Sequence, residues 1–244
     1  MNITFNRNNK EFAVLIDPGK TDLDKLRRTI LNAHNAKADY IFIGGSIHTN
    51  DKLDETISFI RDLTNTPVVL FPGSALQISK QADAMLFMSL ISGRNPELLI
   101  GHQVLSAPLI KEKGLKTIST GYMLIENGHT SSVGYMSNTM PIPREKNAIA
   151  VATAMAGEML GLSCIFMDAG SGASQPIKPE MIRAVHQNTS IPLIIGGGIN
   201  TPEQLRQAYE NGANIVVIGN ALETNPDLVG ELLAIRDQFT EKGL

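Results

Sequence analysis

The sequence predicts an α/β fold, a closed barrel of eight βα units. Three observations lead there. Short apolar runs alternate with helix-like segments along the chain, the pattern of strands joined by crossover helices. The runs are continuous rather than alternating, as in parallel strands covered on both faces. Glycine-containing loops close three successive runs in the C-terminal half, and no G-x-G-x-x-G follows the first run, which weighs against the alternative of an open doubly wound sheet. A length of 244 residues suits one large barrel, a single domain over 1–244, and is enough for a full hydrophobic core.

Taken in order, FAVLID (12–17) is the first strand. Residues 21–37 follow with helical spacing: Leu23, Leu26, Ile30, Leu31 and Ala33 share a face, and Thr21 or Asp22 caps it. YIFIGG (40–45) is the second strand, 51–64 the second helix and PVVLF (67–71) the third strand. AMLFMSL (84–90) is the fourth, reached across 74–83, which is short for a full crossover helix, so the third unit is expected to be irregular. Residues 95–110 form a helix with Pro96 in its first turn. The fifth strand begins in LKTISTGYMLIE (115–126), and the polar, Gly- and Ser-containing stretch 127–143 reads as an insertion. KNAIAVATAMAGEMLG (146–161) is an Ala-rich, closely packing helix that Gly161 can end. SCIFMDAG (163–170), PLIIGGG (192–198) and NIVVIGN (214–220) are the last three strands, with helices at 178–189, 201–211 and 226–242.

A net charge of −3 gives no basic face for nucleic acid, so an anionic ligand is held by local geometry rather than by the field of the whole molecule. The single cysteine, Cys164, excludes an internal disulfide and any Cys-based metal cluster and points to a reducing cytoplasm. It begins a strand and reads as core. The N-terminal stretch has no apolar signal core, and no run of about 18 apolar residues spans a membrane. His34, His102 and His186 fall within helices without metal-ligand spacing; His48, near Ser46, is a weaker candidate for touching ligand. Most methionines read as core fillers, with Met88 and Met123 as candidates for an apolar groove.

In such a barrel the active site lies at the C-terminal ends of the strands. Those ends supply Asp17, then Gly44-Gly45-Ser46, Tyr122, Asp168 with Gly170-Ser171-Gly172, Gly196-Gly197-Gly198, and Gly219-Asn220. Glycines let backbone amides approach phosphate oxygens closely, and three such loops in succession favour a phosphate site over simple tight turns. Asp17 lies in Asp-Pro-Gly, common turn chemistry. It is also placed to ligate a hard cation: Mg²⁺ commonly takes one or two carboxylates, waters and substrate phosphate oxygens. Ser46 could complete that shell.

LIDPGK, FIGGS, STGYMLIENG, FMDAGSGA, IIGGGI and VVIGNALE, in this order over nearly the whole chain, resemble the geranylgeranylglyceryl phosphate synthase family, including its bacterial members. The resemblance implies a modified TIM barrel with an irregular third βα unit. It implies an ether-forming prenyl transfer, in which the free hydroxyl of sn-glycerol 1-phosphate attacks C1 of a polyprenyl diphosphate, such as geranylgeranyl diphosphate, and diphosphate leaves. By the same resemblance, Asp17 and Ser46 hold Mg²⁺, and Phe166, Met167, Asp168, Ala169, Gly170, Ser171 and Gly172, with Gly197, Gly198, Gly219 and Asn220, hold the glycerol phosphate. Tyr122 matches a family tyrosine near the substrates and joins Asp168 as a catalytic candidate. A homo-oligomer is expected, and a lipid product implies proximity to a membrane without an anchor. Two departures stand out. Phe166-Met167-Asp168 replaces a common Tyr-Leu-Glu, losing a hydroxyl and one methylene, and Asp-Pro-Gly-Lys lacks the second acid of the common form.

Two other classes fit parts of the pattern. A sugar-phosphate isomerase would pair Asp17 and Asp168 as acid and base without a metal. A non-catalytic phosphate-binding protein would need only the loops, and the joint presence of Asp17, Ser46, Tyr122 and Asp168 argues against it.

Overall fold

Eight parallel strands follow one another around a closed barrel: β1 (Glu11–Ile16), β2 (Tyr40–Ile43), β3 (Val68–Leu70), β4 (Ala84–Leu90), β5 (Thr117–Leu124), β6 (Cys164–Asp168), β7 (Leu193–Gly196) and β8 (Ile215–Ile218). Closure is made by β1, which pairs Ala13 with Tyr40 of β2 and Val14 with Ile218 of β8. The open sheet is thereby ruled out. The computed structural model describes residues 3–20, 22–45, 51–75, 77–128 and 131–241.

The continuous apolar runs have a direct cause: each strand buries both of its faces. One set of side chains, including Phe12, Val14, Ile41, Ile43, Ile165, Met167 and Ile195, packs with helix residues such as Leu26, Ile30, Ile57 and Leu205. The alternate set, including Ala13, Phe42, Val69, Leu86, Tyr122, Phe166, Ile194 and Val217, fills the lumen.

The helices are α1 (Leu23–Asn35), α2 (Asp51–Leu63), α3 (His102–Glu112), α4 (Ser132–Ser137), α5 (Asn147–Met159), α6 (Pro179–Asn188), α7 (Pro202–Glu210), α8 (Asn220–Thr224) and α9 (Leu228–Glu241). Asp22 caps α1, accepting from the amides of Asp24 and Lys25. The buried stripe of α1 is Leu26, Thr29, Ile30 and Ala33; Leu23 and Leu31, expected on it, are exposed, Leu31 because it follows Ile30 by a quarter-turn. Gly161, at φ +85°, ends α5 as expected, with the Gly161 and Leu162 amides bonding back to Glu158 and Gly157.

Three departures from regular βα repetition shape the barrel top. Among the described residues, no helix connects β3 to β4, and these strands share two register pairs where β4 and β5 share six. The helix expected over 95–110 begins instead as a π-helical turn, Glu97–Gly101, before continuing as α3. The stretch read as an insertion holds α4, capped by the Ser131 hydroxyl on the Gly134 amide, and returns to the sheet through a bridge between Ile125 and Ile142.

The opposite end of the barrel is closed by the segment before β1. Phe5 packs edge-on against Tyr40, with ring centroids 5.4 Å apart, and beside Phe42. Arg7 donates to the carbonyls of His186 (2.6 Å) and Ile191 (3.2 Å).

Candidate active site

Strand alternation decides which residues of FMDAGSGA reach the site. Phe166 and Asp168 face the lumen side and line a cavity of about 750 Å³ at the C-terminal ends of the strands. Met167 and Ala169 are fully buried in the shell between barrel and helices, so their side chains form no part of the cavity wall. Of residues 166–172, expected to hold glycerol phosphate, these two thus turn their side chains away from the cavity: period two sends every second side chain outward. Met123 is turned outward for the same reason, whereas Met88 does line the cavity.

Asp168 is 7% exposed and both of its oxygens are engaged. The Tyr122 hydroxyl donates to Oδ2 at 2.5 Å, and the Gly170 amide donates to Oδ1 at 2.7 Å. Burial pushes the Asp168 carboxyl above its ordinary value, and the two donated hydrogen bonds pull it partly back. Burial, together with the neighbouring carboxylate, holds Tyr122 well above the ordinary phenol value. Tyr122 is therefore the proton donor of the pair. Its ring is boxed by Phe166 (5.5 Å, edge-on) and Phe71 (6.0 Å), which stack on each other at 5.0 Å.

Around this carboxylate three loops converge. Gly197 stands at φ +81°, and a Cβ there would lie 2.7 Å from Asp168 Oδ1 and 2.9 Å from the backbone nitrogens of Ala169 and Gly170. Only glycine lets the β7 loop press so closely on the β6 loop. Ser171 Oγ reaches Asn220 Oδ1 at 3.4 Å, joining the β6 loop to the start of α8. Gly170, Ser171, Gly172, Gly197, Gly198, Gly219 and Asn220 all line the cavity, a concave, glycine-rich surface of the kind that accepts an anion.

Asp17 lines the same cavity, and its Oδ1 accepts from the Gly19 amide at 2.9 Å, so it forms the turn and also faces the cavity. Ser46 and His48 lie outside the described residues, although Gly44 and Gly45 beside them line the cavity. Among the described residues, no group of three or more His, Cys, Asp or Glu is arranged to hold a metal by protein side chains alone. The Asp17 carboxylate fits Mg²⁺, which takes much of its shell from water and phosphate oxygens, better than a structural zinc, which needs four protein ligands.

The remainder of the cavity is largely apolar, and of its arm only Met88 was anticipated in the sequence. Phe87 and Met88 from β4, Leu98 from the π-helical turn, and Val133 and Met136 from α4 form this arm, with His102 and Gln103 at its α3 side. These residues come from two neighbouring segments, β4 and the π-helical turn, and from α4 some way further along the chain. Cys164 is buried in the lumen, its thiol pushed up to about 12 by desolvation, in keeping with a core role.

The PcrB family profile matches residues 4–236. The geranylgeranylglyceryl phosphate synthase of Chitinophaga pinensis is 52% identical over 223 residues, which are 91% of this chain and 88% of the relative. That of Korarchaeum cryptofilum is 40% identical over 225 residues, 92% of each chain. The crystal structure of (S)-3-O-geranylgeranylglyceryl phosphate synthase from Thermoplasma acidophilum, in complex with substrate sn-glycerol-1-phosphate, superposes with a TM-score of 0.89 at 33% identity over 95% of each chain. Thiamine phosphate pyrophosphorylase from Pyrococcus furiosus shares the barrel alone, with a TM-score of 0.59 at 15% identity. The chain therefore belongs to the PcrB family, with the geranylgeranylglyceryl phosphate synthases, and is an enzyme of that prenyltransferase type.

Proposed function

We propose that the protein joins sn-glycerol 1-phosphate to a polyprenyl diphosphate through an ether bond, with Mg²⁺ as cofactor. One observation carries this reading: a single cavity joins a glycine-rich anion pocket to an apolar arm, with a buried, hydrogen-bonded carboxylate on its wall. The phosphate of the acceptor sits against the loops after β6, β7 and β8. The prenyl chain lies along Phe87, Met88, Leu98, Val133 and Met136. The primary one of the acceptor's two free hydroxyls faces Asp168.

In the reaction the hydroxyl oxygen forms a bond to C1 of the prenyl diphosphate as the C1–O bond to diphosphate breaks. The electron pair leaves with diphosphate, and the hydroxyl proton passes to the Asp168 carboxylate, a base whose raised affinity for protons suits it to the task. Asp17, with Ser46, would hold Mg²⁺, which neutralises charge on the leaving diphosphate when bound. The protein acts as a homo-oligomer in the cytoplasm, handing a lipid product to a nearby membrane. The likeness to a relative solved with glycerol phosphate supports the acceptor assignment.

The test supplies labelled polyprenyl diphosphates of several lengths with sn-glycerol 1-phosphate. An ether product is expected, lost on adding EDTA and restored by Mg²⁺. Asp17→Ala should lose turnover at limiting Mg²⁺ while keeping its fold by circular dichroism. Folded protein that makes no ether at any chain length would refute the reading; a turnover of sugar phosphate indifferent to EDTA would replace it with isomerisation.

A further inference from the structure

Phe166 brings no hydroxyl to Asp168. Yet a hydroxyl is there, delivered from the neighbouring strand. In the β5–β6 register Tyr122 stands opposite Phe166 and Leu124 opposite Asp168, so Tyr122 is the diagonal neighbour of Asp168 on the lumen face. A phenol is long enough to cover that diagonal, and its Oη meets Oδ2 at 2.5 Å. The ring cannot swing away, since Phe71 and Phe166 box it and Tyr122 is only 5% exposed. The Gly170 amide holds the other oxygen, so rotating the carboxylate would break both contacts.

We infer that Tyr122 is a positioning residue, whose hydroxyl holds the Asp168 carboxylate ionised and oriented for proton transfer and acts through Asp168 rather than on the substrate. The inference rests on the proposed role of Asp168 as base. Burial alone would leave that carboxyl protonated over a wider pH range and unable to accept a proton; the phenol and the Gly170 amide are the two groups that oppose burial. The other titratable side chains on the described cavity wall are Asp17 beyond β1, His102 at the start of α3 and Glu223 on α8. None of these shifts Asp168.

The experiment titrates Asp168 directly, by ¹³C NMR of carboxyl-labelled aspartate, with the signal assigned by its loss in Asp168→Asn. In Tyr122→Phe the Asp168 midpoint should rise by about one to two pH units, the equivalent of a hydrogen bond to a charged group. The acid limb of kcat/KM for prenyl transfer should rise with it, while KM for glycerol phosphate stays within about twofold. 3-Fluorotyrosine introduced at Tyr122, nearly isosteric and a stronger donor, should move both the other way, and it keeps the test open if Tyr122→Phe fails to fold. Adding Tyr122→Phe to Asp168→Asn should cost no further turnover. An unmoved Asp168 midpoint overturns the inference. So does a loss confined to KM, or a full additional loss in the double variant, since either places the phenol on the substrate. If the midpoint shifts but no ether forms with any prenyl diphosphate, the proposed reaction fails while the Tyr122–Asp168 coupling stands.

Discussion

Asp168 carries two opposed consequences. As the proposed base, its replacement in Asp168→Asn should lower turnover by about 10²–10⁴-fold, measured at saturating substrates. The same change should stabilise the fold. Burial raises Asp168 above its ordinary value, so between the ordinary aspartate range and that raised value the folded protein keeps a proton that the unfolded chain has released. Stability contributed by this group therefore falls as pH rises through that window. By calorimetry, Asp168→Asn should melt above the wild type at neutral pH, and the gap should close as pH drops below about 4. Ser171, exposed and within reach of Asn220, lines the cavity at the proposed anion pocket. Ser171→Ala should weaken glycerol-phosphate binding by about 1.5–3 kcal/mol by titration calorimetry, with an unchanged melting temperature. At this scale the sequence was informative wherever chemistry sat at a strand end. Asp168, Tyr122 and Asp17, read off strand ends, all line the cavity. The motif read as a unit did not show that the Met167 and Ala169 side chains face outward, because a strand distributes its side chains to two sides.

At the level of elements, the loops are matched as a set. The β7 loop approaches the β6 loop so closely that Gly197→Ala would put a methyl against Asp168 Oδ1 and two backbone nitrogens while forcing a side chain into a positive-φ conformation. The variant should lose about 1–3 kcal/mol of stability by urea titration, and binding of glycerol phosphate should fall with it. All eight strands were legible because each is a short apolar run bounded by turn residues. The π-helical turn was not, since one widened turn leaves no period of its own in the sequence. Nor was α4, whose six residues sit in a polar, glycine-containing stretch. Both supply the apolar arm, so apart from Met88 the arm was hidden for the same reasons.

Across the whole molecule, function and stability occupy opposite ends of one cylinder. The cavity opens at the C-terminal ends of the strands; the other end is sealed by Phe5 over Tyr40 and Phe42 and tied by Arg7 to the carbonyls of His186 and Ile191. Phe5→Ala should cost about 3–5 kcal/mol in denaturant titration, yet leave the dissociation constant for glycerol phosphate unchanged, because nothing in the seal touches the cavity.

The connection from β3 to β4, without a helix among its described residues, has a mechanical meaning. A cylinder of hydrogen-bonded staves is as strong as its slimmest joint, and here that joint has two register pairs with no described helix braced across it. Phe71 and Phe87, just past β3 and on β4, belong to the cavity wall. The slimmest joint of the barrel therefore borders the chamber that the proposed prenyl chain would enter, so any give in that stave would widen the room for it.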